Sequence, residues 1–297
     1  MKLFSYSSKD NAVKIGIEID RLNYNFTQLW EFYKDYKGLQ QLPQLTFLQM
    51  MVETDLFHQQ YIQEIITTVQ NFRSLDDLQI KDLNRFEVPL ARPPKMLFLG
   101  RNYLEHAKEG GHAAPSEPIF FAKLPSTLIS HQSQIRLPAG VGRVDHEIEL
   151  AMIIGKQGKN ISEAKAWDYI AGFTIINDIT ARALQKSDME KKHPWLRSKN
   201  FDTFCPMGPF LVPTAAIPDA QNLDLQLTVN GQIKQQSNTS NMIFKIPKII
   251  AYISQFVTLS PGDIIATGTP EGISELHSGD IIVAEIDGLG ALENSVA

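Results

Sequence analysis

Two glutamates, Glu147 and Glu149, stand two positions apart at the start of an apolar run that ends at Ile154. Alternate residues of a β-strand share a face, so both carboxylates would point the same way. Such a pair repels unless a cation joins the two groups or one of them stays protonated. Oxygen ligands on a rigid strand suit Mg²⁺, Mn²⁺ or Ca²⁺ better than zinc. The pair therefore indicates a divalent metal site, and a solvated strand end with two surface carboxylates is the alternative.

A third carboxylate, Asp178, ends the apolar run that begins at Phe173. Arg182 and Gln185 follow three residues apart, so they would share one face of a short helix that Thr180 could cap. A guanidinium and an amide beside a strand-end carboxylate suit a metal ligand followed by a grip on an anionic substrate. The alternative is an Asp-Thr cap followed by an exposed arginine.

His106 and Glu109 are also three residues apart, and they would meet on one face if their segment is helical. A histidine oriented by a carboxylate is a competent general base. The Gly110-Gly111 pair that follows would allow the segment to move as a lid. An exposed ion pair is the alternative, and Lys199, taken alone, is one charge in a solvated run.

The surrounding pattern predicts a β-rich α+β protein. From residue 95 onward, short apolar runs alternate with turns, and an alternating run that ends at Val229 meets Asn230-Gly231, a strong hairpin signal. Residues 1–90 instead combine a strand with two helical patterns, and a cluster of prolines follows them. We therefore predict a small N-terminal α+β domain at 1–90 and a catalytic domain at 91–297.

Composition narrows the possible partners. The 297 residues carry 28 basic and 33 acidic side chains, a net charge of −5, so no basic footprint for nucleic acid exists. No apolar run reaches membrane-spanning length, and the N-terminus lacks a signal-peptide pattern. The single cysteine, Cys205, excludes an intrachain disulfide. These features favour a cytoplasmic protein with a small-molecule partner.

Taken together, the motifs between Lys95 and the C-terminus resemble the fumarylacetoacetate hydrolase family. Their common feature is their order along the chain. They are Gly100-Arg101-Asn102-Tyr103-x-x-His106-x-x-Glu109, Glu147-x-Glu149, Asn177-Asp178-x-Thr180-Ala181-Arg182-x-x-Gln185, Lys199-x-Phe201-Asp202-Thr203-Phe204, Val229-Asn230-Gly231, Asn241-Met242-Ile243-Phe244 and the Gly262 to Gly272 segment.

The resemblance implies a mixed β-sandwich roll, a homodimer, and Mg²⁺ or Mn²⁺ as the cofactor. It assigns roles to ten residues. These are metal binding for Glu147, Glu149 and Asp178, catalysis for His106, Glu109 and Lys199, and substrate binding for Tyr103, Arg182, Gln185 and Thr269.

The sequence departs from the family pattern at one place. Leu97 to Gly100 offers only apolar groups where fumarylacetoacetate hydrolases proper place a further carboxylate. This departure favours the smaller acylpyruvase and 2-hydroxyhepta-2,4-diene-1,7-dioate isomerase-like members. The segment Asp188 to Pro194 receives no role.

The expected reaction is metal-dependent hydrolysis of a C–C bond in a 3-acylpyruvate or fumarylpyruvate-like 2-oxo acid, which gives pyruvate and a carboxylic acid. The same groups would serve an oxaloacetate decarboxylase or tautomerase, or a 2-hydroxyhepta-2,4-diene-1,7-dioate isomerase. A non-catalytic homodimer that binds a small diacid is the remaining alternative.

Overall fold

The computed structural model of the chain describes residues 1–81, 83–111 and 113–297. Within the first ninety residues, strands flank three α-helices. These elements are β1 (Lys2–Ser8), β2 (Val13–Ile19), β3 (Leu22–Asn25), α1 (Phe26–Lys37), α2 (Leu48–Glu53), α3 (Gln59–Gln70), a 3₁₀ turn at Leu75–Leu78, and β4 (Leu83–Glu87).

From residue 96 onward, short strands dominate. They are β5 (Met96–Gly100), β6 (Ile119–Ala122), β7 (Leu128–Ile129), β8 (Gln134–Ile135), β9 (Val144–Asp145), β10 (Ile148–Ile154), β11 (Ile170–Asn177), β12 (Thr180–Ala181), β13 (Cys205–Pro206), β14 (Phe210–Pro213), β15 (Asp224–Val229), β16 (Gln232–Asn238), β17 (Ile264–Ala266), β18 (Ile281–Ile286) and β19 (Gly290–Val296). The α-helices of this part are α4 (Leu104–Glu109), α5 (Arg182–Glu190), α6 (Leu196–Lys199) and α7 (Ile246–Phe256). Shorter 3₁₀ segments lie at Pro125–Thr127, Glu163–Tyr169, Thr214–Ala216 and Thr239–Asn241. The predicted β-rich α+β class is confirmed.

A large mixed sheet forms the centre of the molecule, in the order β3-β2-β1-β14-β11-β10-β17-β5-β6, with β4 also paired to β1. A second sheet has the order β16-β15-β18-β19-β8. The predicted Asn230-Gly231 turn joins β15 and β16, and both of its residues have positive φ, 52° and 77°. Asparagine and glycine tolerate this conformation, which explains why the turn is readable from sequence.

The two faces of β10 enter different cores. Ile148, Leu150 and Met152 pack with the second sheet and α7, whereas Ala151 and Ile153 pack with the helices of the first ninety residues. Strand β1 pairs with β14, so the N-terminal strands continue the large sheet. The division into domains at residue 90 stays a prediction.

The residues before and within the first turn mark where two helices begin. Leu22–Asn25 forms a strand and the Asn25 side chain accepts the Gln28 N–H at 3.1 Å, so α1 begins at Phe26. Helix α7 begins at Ile246 and has a proline in its first turn. No helix in the described ranges is long and apolar enough to cross a bilayer.

Candidate active site

The antiparallel pairing of β10 with β11 brings three carboxylates together. In its register Ile148 lies opposite Asn177, so the start of β10 meets the end of β11. The N–H of Asp178 then donates to the carbonyl of Glu147 at 2.8 Å. Glu147, Glu149 and Asp178 are buried, and each offers an oxygen within 4.8 Å of the other two. We call this cluster the acidic triad.

Cations reach two members of the acidic triad. Lys199 donates to Glu147 Oε2 at 2.8 Å and to Asp178 Oδ2, and Lys123 donates to Asp178 Oδ1 at 2.6 Å. Arg182 also donates to Glu147. Burial would raise the pKa of Glu147, but Lys199 and Arg182 outweigh it and hold that pKa well below its usual range.

Glu149 lacks such a partner. Its Oε2 accepts the Gly268 N–H at 2.8 Å, and its Oε1 is buried without a hydrogen bond among the described residues. Burial, together with the charges of Asp178 and Glu147, raises the pKa of Glu149 well above its usual range. An orphaned carboxylate oxygen beside two further carboxylates fits a hard divalent cation, which would supply the missing positive charge. The donor set therefore suits the predicted Mg²⁺ or Mn²⁺.

A histidine–carboxylate pair lies in helix α4. His106 Nδ1 is 3.4 Å from Glu109 Oε2, and the Gly272 N–H is 3.3 Å from each oxygen of Glu109. Burial would raise the pKa of Glu109, but His106 and the Gly272 N–H lower it below its usual value. Glu109 is thus held as a carboxylate that orients the imidazole, as the sequence spacing predicts.

Two members of the triad, Glu147 and Glu149, and this pair line one cleft of about 620 Å³. Eight residues expected at the site contribute to its wall: His106, Glu109, Glu147, Glu149, Arg182, Gln185, Lys199 and Thr269. Arg182 donates to Gln185, and the Thr269 hydroxyl accepts from Gln235 at 2.8 Å. Asp178 is not among the described residues of this wall, but it belongs to the triad and accepts a hydrogen bond from Lys199, which is in the wall.

Tyr103 lies outside the cleft wall that the described residues form. Its side chain belongs to the core between the sheets, and its buried hydroxyl lacks a partner among those residues. Burial, followed by the charges of Glu149 and Glu271, raises its pKa. Tyr103 directly precedes α4, and its contact with a substrate stays a prediction.

One protein-family model matches the part of the chain that carries this site. Residues 95–297 match the model described as fumarylacetoacetate (FAA) hydrolase C-terminal. The chain belongs to the fumarylacetoacetate hydrolase family.

Relatives within the family carry different activities in their names. A human mitochondrial oxaloacetate tautomerase is 40% identical over 248 residues, which are 80% of this chain and 78% of the relative. The structure of fumarylpyruvate hydrolase from Pseudomonas aeruginosa, in complex with Mn²⁺ and pyruvate, is 32% identical with a TM-score of 0.67, and the match covers 73% of this chain and 94% of that one. The 2-hydroxyhepta-2,4-diene-1,7-dioate isomerase from Mycobacterium marinum is 30% identical with a TM-score of 0.73, and covers 100% of this chain and 98% of its own.

Two buried residues next to the acidic triad, Lys123 and Asp145, are not predicted from the sequence. Lys123 is buried and also donates to the carbonyls of Ile179 and Phe204, at 3.2 and 2.7 Å. Asp145 is buried and forms ion pairs with Arg143 at 2.6 Å and with Arg182 at 2.8 Å. Asp145 adjoins the Glu147 motif, so its acidic neighbours were a usable signal, whereas nothing in the sequence singles out Lys123.

Two further expectations concern neighbouring residues. Thr180 does not cap the helix, because it pairs in β12 with Asp145 and its hydroxyl donates to the Asp178 carbonyl at 2.9 Å. The expectation of an N-cap at Thr180 is wrong, and Ala181 occupies that position. Cys205 is fully buried, and burial raises its pKa to about 12, so its thiol stays protonated near neutral pH.

Proposed function

We propose that the chain is a metal-dependent enzyme that interconverts the keto and enol forms of a 2-oxo acid such as oxaloacetate. The observation that carries the proposal is the His106–Glu109 pair in the same cleft as the acidic triad. A proton acceptor beside a metal site is what proton transfer at C3 of a 2-oxo acid requires. The human oxaloacetate tautomerase relative supports the same reaction class.

The cofactor would be held by Glu147, Glu149 and Asp178. A bound divalent ion supplies a Lewis acid that stabilises negative charge on the oxygen of an enolate. Lys199 adds a buried ammonium within hydrogen-bond distance of two triad members, so it contributes positive charge at the same end of the cleft. Arg182, fixed by its ion pairs, and Gln185 would orient the carboxylate end of the substrate.

Proton transfer falls to His106. Because Nδ1 faces Glu109, Nε2 is the nitrogen left to take a proton from C3. Glu109 stabilises the imidazolium that forms, and the Gly272 N–H keeps the carboxylate in place. The imidazolium then returns its proton to the oxygen of the enol form. The reverse sequence restores the keto form.

Hydrolysis of a 3-acylpyruvate is the second candidate, and the similarity to fumarylpyruvate hydrolase favours it. Here His106 would take the proton from water, and the resulting hydroxide would attack the acyl carbon. The bond between that carbon and C3 breaks, and the imidazolium of His106 returns its proton to C3, which gives pyruvate and a carboxylic acid. The cleft volume of about 620 Å³ leaves room for an acyl group beyond the 2-oxo carboxylate.

One assay separates these reactions. Oxaloacetate and acetylpyruvate are supplied with Mg²⁺, and enol absorbance, pyruvate release and CO₂ release are followed. The proposal expects oxaloacetate to tautomerise faster with the enzyme than without it and to release no CO₂. EDTA should abolish this acceleration. Release of pyruvate and acetate from acetylpyruvate as the faster reaction would instead support the hydrolase, and CO₂ from oxaloacetate a decarboxylase.

The His106→Ala variant tests the catalytic pair. It should lower kcat by roughly 10²- to 10⁴-fold, as loss of a general base does. Glu105→Ala, which changes an exposed residue of the same helix, is the matched control. Unchanged turnover of His106→Ala, with EDTA affecting stability alone, would favour a non-catalytic diacid-binding protein. The homodimer and the cytoplasmic location stay predictions, and the molar mass in solution checks the first.

A further inference from the structure

Arg101 differs from the other arginines of the cleft wall. Arg143 forms an ion pair with Asp145, and Arg182 forms ion pairs with Asp145 and Glu147. Arg101 lines the same cleft, but no described carboxylate pairs with its guanidinium. Its positive charge is therefore available to an anionic group of a ligand that enters the cleft.

An aromatic ring supports this guanidinium. The centre of the Arg101 guanidinium lies 5.7 Å from the ring centroid of Trp195, and that ring packs edge-on against Phe121 at 5.4 Å. A Cβ at Gly100 would lie 2.7 Å from the Trp195 ring, so only glycine permits this packing. A guanidinium stacked on a fixed ring keeps its N–H groups free for a planar anion.

The backbone of Arg101 is also held in one place. Its φ of 59° is a left-handed conformation that non-glycine residues rarely adopt. The next residue, Asn102, is fully buried, and its side chain donates to the carbonyls of Thr267 and Phe244 at 2.8 and 3.1 Å. These bonds tie the segment to the strand end from which Gly268 donates to Glu149. The backbone that carries the cation is thus held relative to the acidic triad before any ligand binds.

Burial acts on Arg101 without a compensating charge. It lowers the pKa of the guanidinium, although arginine stays charged at any physiological pH. A half-buried cation without a counter-ion is best stabilised by an anion from the ligand. Lys186 also lines the cleft without an ion pair among the described residues, but it is exposed and no aromatic contact is seen there.

We infer that Arg101 binds a second carboxylate of the substrate and so selects 2-oxo diacids over 2-oxo monoacids. This inference rests on the proposed function, because it assumes that the first carboxylate and the 2-oxo group occupy the metal end of the cleft. The flat face of Trp195 positions the guanidinium for two parallel N–H donations to the distal carboxylate. Acylpyruvates with an apolar end leave this contact unmade.

Matched ligands test the inference by binding. L-malate and L-lactate share a 2-hydroxy carboxylate, and only malate carries a distal carboxylate. Their Kd values are measured by calorimetry with saturating Mg²⁺ for the wild type, Arg101→Gln and Arg101→Lys, with Lys186→Gln as the charge-matched control. We expect Arg101→Gln to weaken malate binding by roughly 10- to 100-fold and to leave lactate unchanged, with partial recovery in Arg101→Lys. Lys186→Gln should change neither ligand.

Kinetics give the second readout. In Arg101→Gln the KM for oxaloacetate should rise by a similar factor, while the KM for acetylpyruvate stays constant. Equal weakening of malate and lactate, or no weakening of either, would overturn the inference. If the wild type turns over neither oxaloacetate nor acetylpyruvate, the proposed function fails, yet the malate-to-lactate ratio still decides the role of Arg101. Far-ultraviolet circular dichroism confirms that each variant folds.

Discussion

Lys123 and Lys199 donate hydrogen bonds to opposite oxygens of one buried carboxylate, that of Asp178. Their surroundings differ. Lys199 lines the cleft and also reaches Glu147, whereas Lys123 is not among the described residues of the cleft wall and donates to the carbonyl of Phe204. One lysine is therefore available to a substrate, and the other stabilises the structure beneath it.

Replacing each lysine by methionine should separate these roles. Lys199→Met should lower kcat by about 10²- to 10³-fold, because it removes positive charge from the reacting end of the cleft. Lys123→Met should lower the free energy of unfolding by about 3–5 kcal/mol, because it breaks a buried ion pair and leaves carbonyl groups unpaired. Steady-state kinetics and urea denaturation of both variants check this. Equal effects of the two changes on kcat and on stability would contradict the division.

Metal binding should depend on Glu149. At Mn²⁺ concentrations of 100 times Kd, the wild type should gain about 2.7 kcal/mol in free energy of unfolding. Glu149→Gln should lose this gain, because it removes a charged ligand oxygen. The metal-free variant should be more stable than the metal-free wild type, because repulsion from Asp178 and Glu147 disappears.

Thermal unfolding with and without Mn²⁺ measures both effects. Glu105→Gln, at an exposed position, is the control and should keep the full metal-dependent shift. A Glu149→Gln variant that Mn²⁺ stabilises as much as the wild type would mean that the ion binds elsewhere.

The strand period explains why part of the site could be predicted from the sequence. Side chains of a strand alternate between faces, so Glu147 and Glu149 were expected to share one, and the structure brings their carboxylates together although Glu147 lies just before β10. The His106–Glu109 spacing worked for the same reason on a helix. Both signals are local and depend on neither partner strands nor long-range packing.

Long-range pairing accounts for what the sequence did not show. Lys123 reaches Asp178 across 55 residues, and no periodicity links the two positions. Thr180 has a residue type typical of an N-cap, but pairing with Asp145 in β9 decides its conformation. The third carboxylate joined the first two only through the register of β10 and β11, for which the motif order of the family was the usable clue.

An ion pair in the segment without a predicted role should position Lys199. Asp188 in α5 is buried and accepts from Arg197 in α6 through both oxygens, at 2.9 Å from Nε to each. Asp188→Asn should loosen α6 and lower kcat on the order of 10- to 100-fold, because small displacements of a catalytic group are costly. KM for oxaloacetate should change less than kcat.

Kinetics of Asp188→Asn and of Arg197→Lys check this prediction. Arg197→Lys keeps the positive charge, so it should lower kcat less than Asp188→Asn does. A purely structural defect would not follow the charge in this way. Arg85→Gln, which breaks an exposed pair with Glu87, is the control. If Asp188→Asn retains full kcat, α6 is held by its other contacts.

Acid should weaken the contact between the N-terminal strands and the second sheet through His131. Its Nδ1 accepts the Glu293 N–H at 3.0 Å, and its ring lies edge-on to Phe86 with centroids 5.0 Å apart. Burial lowers the pKa of His131 below its usual value, so the unfolded chain binds a proton at a higher pH than the folded protein does. The contribution of His131 to stability is therefore complete above the unfolded pKa of about 6.5 and is lost as pH falls through the folded pKa.

His131→Gln, which does not titrate, should show a shallower loss of unfolding free energy than the wild type as pH falls below about 6.5. Urea denaturation at a series of pH values measures the two slopes. His277→Gln, which changes a histidine whose side chain is 71% exposed, should leave the wild-type slope unchanged. Nδ1 must be unprotonated to accept the Glu293 N–H, so acid should break this hydrogen bond in the wild type. Parallel pH profiles for His131→Gln and the wild type would contradict the prediction and assign the loss of stability to other groups.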